Sequence, residues 1–216
     1  MKAVYQGGEG EIIEKKSRFL ATVRPVESEE EAERFIAEMK KKYWDARHNC
    51  SAFVIGGNQE VTRCSDDGEP SQTAGRPMLD VLLREGIHNT AVVVTRYFGG
   101  VLLGTGGLVR AYQKAAQAGL ANSIIIEKQN GKRLTIRTDY NGLGKIQYIL
   151  AQNNIVALGT DYTEAVEIHT VVLLGEEKRL MEEIMEGTGA GTQFEWGTEV
   201  EFAVIGKEIK VFEKKG

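Results

Sequence analysis

The chain has 216 residues, 42% of them hydrophobic and 27% charged, with a formal net charge of −4. Such proportions suit a globular protein of one large or two small domains, and the longest apolar runs, TAVVV and SIII, are far too short to span a bilayer. Residues 1–130 carry 17 basic and 17 acidic side chains, whereas 131–216 carry 10 and 14. No broad basic surface follows from these counts, so contact with RNA would need a local patch.

The opening MKAVYQGGEGEIIEKK lacks the continuous apolar stretch of a signal peptide, and a cytoplasmic location is expected. GEIIEKKSRFLATVRPV reads as two strands meeting near Lys15–Lys16. Ser28 followed by Glu31 forms a capping-box signature for a helix. Ala32, Phe35, Ile36, Met39 and Tyr43 give that helix one apolar stripe. Acidic residues at its start and Lys40 to Lys42 at its end suit the helix dipole.

HNCSAFVIG and EVTRCS then form a hairpin around GGNQ, placing Cys50 opposite Cys64 or one register place away. Two small half-buried thiols are expected rather than a disulfide, and a zinc ribbon would need a second cysteine pair. In SDDGEPSQTAGRPMLDVLLREG, Pro77 suits the first turn of a helix, with Leu79, Leu82 and Leu83 buried. Gly86 would end it, and Asp80 would pair with Arg84 one turn away. NTAVVVTRYF is a buried strand, and a small-residue helix containing AYQKAAQAGLA packs closely after it.

A turn at Asn130–Gly131, within the polar EKQNGKR, marks a domain boundary between residues 130 and 131. The second half reads strand, helix, strand, strand, helix, strand. Its first strand is KRLTIRTDY, its first helix is capped by Asn141, and its closing strand is GTEVEFAVIG. Leu143, Ile146, Ile149 and Leu150 face inward from that helix. This βαββαβ order is that of the ferredoxin-like split unit. The fold class expected is therefore α+β in two domains.

Two stretches carry candidate chemistry. RYFGGVLLGTGGLVRAY has neither the P-loop Lys-Ser/Thr nor the third glycine of a dinucleotide fingerprint. A helix starting near Thr105 would nonetheless present free N–H groups from Gly106 to Leu108 to an anion. Arg96 and Arg110 flank it and would hold a phosphate or a partner's carboxylate. Equally, Gly99, Gly100, Gly104, Gly106 and Gly107 serve tight turns and close packing while the arginines pair internally. In CSDDGEPS, Asp66, Asp67 and Glu69 suit either a hard cation such as magnesium or plain turn chemistry. His48, His88 and His169 fit no catalytic motif, and no catalytic residue, metal or cofactor is expected.

RCSDDGEPSQTAGRPML together with TRYFGGVLLGTGGLVRAY closely resembles the signature of the IMPACT family, in its bacterial YigZ/YvyE branch. The resemblance runs from about Ser17 to Leu120. It implies an N-terminal domain of the ribosomal-protein-like β-α-β fold. It also implies a C-terminal domain similar to the last ferredoxin-like domain of elongation factor G. Eukaryotic members of the family regulate translation through a partner that bacteria lack. What the resemblance implies here is a non-enzymatic, translation- or ribosome-linked regulator that docks a protein or ribonucleoprotein partner. Asp66, Asp67, Glu69, Arg96, Tyr97, Phe98 and Arg110 would form the contact surface, with RNA reached only through a local patch and no membrane involved. The alternative is an enzyme or sensor that holds a phosphorylated metabolite or nucleotide on the glycine-rich turn.

Overall fold

The computed structural model describes residues 1–189, 191–206 and 208–212 and divides into two compact units, Met1–Ile126 and Glu127–Gly216. No helix among the described residues is long and apolar enough to cross a membrane.

The first unit contains β1 (Lys2–Gln6), β2 (Glu9–Glu14), β3 (Ser17–Pro25), α1 (Glu29–Lys42), β4 (His48–Ile55) and β5 (Val61–Ser65). It continues with α2 (Gly75–Glu85), β6 (Ile87–His88), β7 (Thr90–Tyr97), α3 (Thr105–Ala121) and β8 (Ile124–Glu127). The main sheet runs β2-β3-β7-β4-β5, and a small second sheet runs β6-β1-β8. β7 lies at the centre of the main sheet and is buried on both faces, which explains its unbroken apolar run. Val92 and Val94 face α2 and α3 with Phe19, Cys50, Met78, Leu82 and Tyr112. Ala91 and Val93 face α1 with Phe35, Met39 and Phe53.

Several local expectations have physical counterparts here. The turn between β2 and β3 holds Lys15 and Lys16 at φ 46° and 65°. Ser28 caps α1 by accepting from the Glu31 amide at 3.3 Å, while the Glu31 carboxylate accepts from the Glu27 amide at 2.8 Å. Gly86 ends α2 in the left-handed region at φ 65°.

Others need correction. Cys64 is paired with Ala52, which puts Cys50 two register places away because β5 extends to Ser65. Cys50 is buried, Cys64 is exposed, and both thiols are free. Asp80 pairs with Arg76 at 2.8 Å rather than with Arg84, since the first turn of α2 already offers a cation one turn back. Leu83 is only partly buried, and Met78 and Val81 take the core positions beside Leu79 and Leu82.

The second unit contains β9 (Gln129–Thr138), α4 (Tyr140–Gln152), β10 (Ala157–Tyr162), β11 (Val166–Leu173), α5 (Glu177–Thr188), β12 (Gln193–Ile205) and β13 (Glu208–Phe212). Its sheet order is β10-β11-β9-β12-β13, all neighbours antiparallel. Leu134, Ile136, Ile168 and Val172 meet Ile146, Ile149, Leu180 and Ile184 of the two helices in one core. Asn130 and Gly131 form no turn: both are in β9, paired with Glu201 and Val200 of β12. A Cβ at Gly131 would lie 2.6 Å from both Phe202 and Val171, so glycine there admits cross-strand packing. Asp139, not Asn141, caps α4, accepting from the Gly142 amide at 2.7 Å.

Candidate functional site

The carboxyl end of β7 collects the sequence-singled residues. The strand alternates, so Arg96 and Phe98 address the α2/α3 side of the sheet while Tyr97 addresses the α1 side. Around this end lie the Lys15–Lys16 turn, the segment from α1 to β4, the loop between β5 and α2, and the glycine-rich stretch leading into α3.

Arg96 is buried at 6% exposure, and its Nη1 donates to Glu69 Oε1 at 2.6 Å. Glu69 is itself 8% exposed and also accepts from the Tyr112 hydroxyl at 2.8 Å. The Cys50 thiol extends the cluster, donating to the Asp66 carbonyl at 2.9 Å, with its sulfur 3.3 Å from the Tyr112 oxygen. Burial pushes the ionisation of both Cys50 and Tyr112 far upward, so both stay protonated. The Arg96 guanidinium stacks between two rings, 5.4 Å from the centre of Phe19 and 5.6 Å from that of Phe98. Its Nε is buried, with no hydrogen-bond partner among the described residues. Arg96 and Glu69 therefore present little of their own surface to solvent. The low dielectric and mutual attraction hold them to each other, and they brace the loops above.

The two aspartates are likewise engaged. Asp66 accepts from the backbone amides of Gln72, Ala74 and Gly75 at 2.7, 3.0 and 2.8 Å, fastening the start of α2. Asp67 accepts from Lys40 Nζ at 2.6 Å and from the Asn49 amide at 2.7 Å. Donors of positive or amide character fill these carboxylates, which is turn chemistry, with Asp67 at φ 42° and Gly68 at φ 87°. The three acids of this loop address different partners and do not converge on one point. His48 joins the same loop, its Nδ1 lying 2.9 Å from the Asp67 carbonyl.

What reaches solvent is the apolar part of the glycine-rich stretch. Phe98 is 54% exposed, Val101 41% and Leu102 82%. Glycines shape this loop in two ways. A Cβ at Gly99 would lie 2.0 Å from the Lys16 carbonyl carbon, so the loop packs directly on the Lys15–Lys16 turn. Gly100 and Gly104 stand at φ 81° and 72° in open space and serve the chain reversal. Gly104 precedes α3 without any side-chain cap, leaving the amides of Thr105, Gly106 and Gly107 uncapped. The Leu108 amide is not among them, because it closes the first helical bond to the Gly104 carbonyl at 3.0 Å. Arg110 is exposed, with its Nη1 3.6 Å from where a Gly106 Cβ would be. Tyr97 donates to Asp45 at 2.9 Å, tying β7 to the segment after α1.

Residues 15–120 match the Impact N-terminal domain, and 136–190 match a domain of unknown function, DUF1949. IMPACT family member YvyE of Bacillus subtilis (strain 168) is 42% identical over 194 residues, covering 90% of this chain and 89% of the relative. The chain belongs to the IMPACT family. YigZ of Escherichia coli (strain K12), another IMPACT family member, is 37% identical over 150 residues, covering 68% of this chain and 74% of the relative. Mouse protein IMPACT is 36% identical over 98 residues, covering 43% of this chain and 30% of that protein. A crystal structure of a hypothetical protein is similar at a TM-score of 0.57 and 30% identity, covering 89% of this chain and 95% of that one. The two-domain translational regulator Yih1 aligns at a TM-score of 0.38 and 25% identity over 55% of this chain and 48% of its own.

Exposed Trp44, Val101 and Leu102 and buried Tyr112 stand at or beneath this end of β7 without having been singled out in the sequence. Leu102 had one signal: it lies in a three-residue apolar run between glycine pairs, too short to form a helix or strand face that buries all three. Tyr112 had another, as the one aromatic ring in a helix of small residues.

Proposed function

We propose that this IMPACT-family chain is a non-enzymatic, translation- or ribosome-linked regulator that docks a protein or ribonucleoprotein partner through the loop face at the end of β7. One observation carries the reading. Phe98, Val101 and Leu102 hold large apolar side chains in water on a loop whose base is fixed by the buried Arg96–Glu69 pair. Exposed apolar and aromatic area on a rigid support is the usual anchor of an interface. Arg110 extends this face and Tyr97 flanks it from the α1 side, whereas Asp66, Asp67, Glu69 and Arg96 shape it from beneath. Family membership supports the link to translation.

We read the first unit as the ribosomal-protein-like β-α-β fold. The second is read as ferredoxin-like, from its strand order with β11 between β10 and β9. Co-sedimentation with ribosomes, with and without ribonuclease, tests the docking. Leu102→Asp should remove association without changing the melting temperature. Unaltered association of that variant would contradict the reading.

A second reading places a phosphate at the uncapped start of α3, favoured by the Arg110 head beside Gly106. A thermal-shift series with nucleotides and magnesium separates the two. A ligand at about 100 times its dissociation constant adds about 2.7 kcal/mol of stability.

A further inference from the structure

Charge at the β7 end is unevenly engaged. Its acids are occupied: Asp45 by Tyr97, Asp66 by backbone amides, Asp67 by Lys40, and Glu69 by Arg96. Its bases are not. Lys15, Lys16, Arg47 and Arg110 are all exposed, and among the described residues none has a carboxylate partner. Half-buried Glu14, beside the Lys15–Lys16 turn, offsets one of these four charges. Tyr97 and the backbone amides are neutral donors, so Asp45 and Asp66 keep their charge, and together with Glu14 they leave this end with one positive charge in excess.

Two aromatic rings stand at the same end. Trp44 is 83% exposed and precedes Asp45, the hydrogen-bond partner of Tyr97. Phe98 is 54% exposed, with one side of its ring covered by the Arg96 guanidinium. Lys16 lies against Gly99, and Arg47 precedes His48, the register partner of Arg96. Four loops around the end of β7 therefore carry cations without carboxylate partners and two exposed rings.

We infer that this end of the first unit binds a single-stranded RNA segment, its phosphates held by Lys15, Lys16, Arg47 and Arg110 and its bases stacked on Trp44 and Phe98. The inference rests on the docking reading above and names the chemistry of the partner. Cations following a backbone, with aromatic faces between them, match unpaired bases. An acidic protein segment would use the cations but has no need of flat ring faces. A duplex would leave Trp44 and Phe98 nothing to stack on.

The test is fluorescence anisotropy of the full chain with a labelled dodecameric single-stranded RNA between about 50 and about 200 mM salt. Three to four neutralised phosphates predict a log–log salt slope of about −2 to −3. Trp44→Ala and Phe98→Ala, separately and together, should weaken binding, the double variant by about tenfold or more. Replacing Lys15 and Lys16 by Gln, or Arg47 and Arg110 by Gln, should each flatten the slope by about 1.4. Lys145→Gln, in the second unit, should change nothing. Absence of binding at low salt, or a slope indifferent to all four substitutions, overturns the inference. If RNA is not bound yet Leu102→Asp still abolishes ribosome association, the RNA inference falls while docking stands. If neither is seen, both fall.

Discussion

Arg96 and Glu69, 27 residues apart in the chain, meet at 2.6 Å with both side chains buried, and their pairing locks the central strand to the loop preceding α2. Removing one partner strands the other charge in a low-dielectric interior. Arg96→Ala should therefore cost about 3–5 kcal/mol, whereas replacing both by apolar residues of similar volume should cost far less. Urea unfolding of the two single variants and the double variant measures the difference. A single variant costing no more than the double would show that burial does not set this energy.

Asp66 supports the start of α2 through three backbone amides, a helix that otherwise has no side-chain cap at Ala74. Asp66→Ala should lower stability by about 2 kcal/mol, at the upper end for a lost cap. Hydrogen exchange should accelerate first at Gln72, Ala74 and Gly75. Uniform acceleration across the first unit instead would mean that the aspartate acts on the whole fold.

The thiol of Cys50 and the hydroxyl of Tyr112 are held protonated by burial, well past their ordinary ionisation range. In the unfolded chain the thiol ionises near pH 8.5 and the phenol near 10. Above those values the unfolded state binds fewer protons than the folded state. Stability is thus fully present below about pH 8.5 and falls as pH rises, by up to about 1.4 kcal/mol per pH unit for each group. Cys50→Ala should remove the earlier part of that decline, seen in urea midpoints between about pH 8 and 10. Under native conditions iodoacetamide should label Cys64 and spare Cys50.

Glycines of one loop should respond differently to alanine. Gly99→Ala forces a methyl onto the Lys16 backbone, 2.0 Å from its carbonyl carbon, so the loop must lift from the turn. Gly100→Ala meets open space and bears only the left-handed conformation, about 1–2 kcal/mol. Thermal unfolding should rank Gly99→Ala as the more damaging, and the reverse order would contradict the packing described.

Much of the fold could be read from periodicity. Residues 90–97 announced a buried strand by β-branched composition, and Ser28 with Glu31 announced α1. Some misreadings were local, such as Asp139 rather than Asn141 capping α4, and others come from tertiary pairing that local chemistry does not encode. Asn130–Gly131 carries turn residues, yet β12 recruits them into β9 because Gly131 leaves room for Phe202. Ile124 to Ile126 forms a strand only because β1 lies beside it. At the site, charge alone could not show that Arg96 faces inward. Strand alternation puts it on the α2/α3 side with Phe19, and Glu69 then reaches it from another loop. Trp44 and the unpaired cations came from four separate segments and could be grouped only once the sheet was known.

The central claim is that the loop carrying Phe98, Val101 and Leu102 is the surface a partner covers. A photo-crosslinking residue placed at Leu102 tests this most directly, with the same residue at exposed Tyr140 of α4 as reference. On isolated ribosomes, position 102 should give a discrete adduct that excess unlabelled protein competes away, and position 140 should give none. Adducts from position 140 alone, or none from position 102 while the protein remains ribosome-bound, would contradict the account.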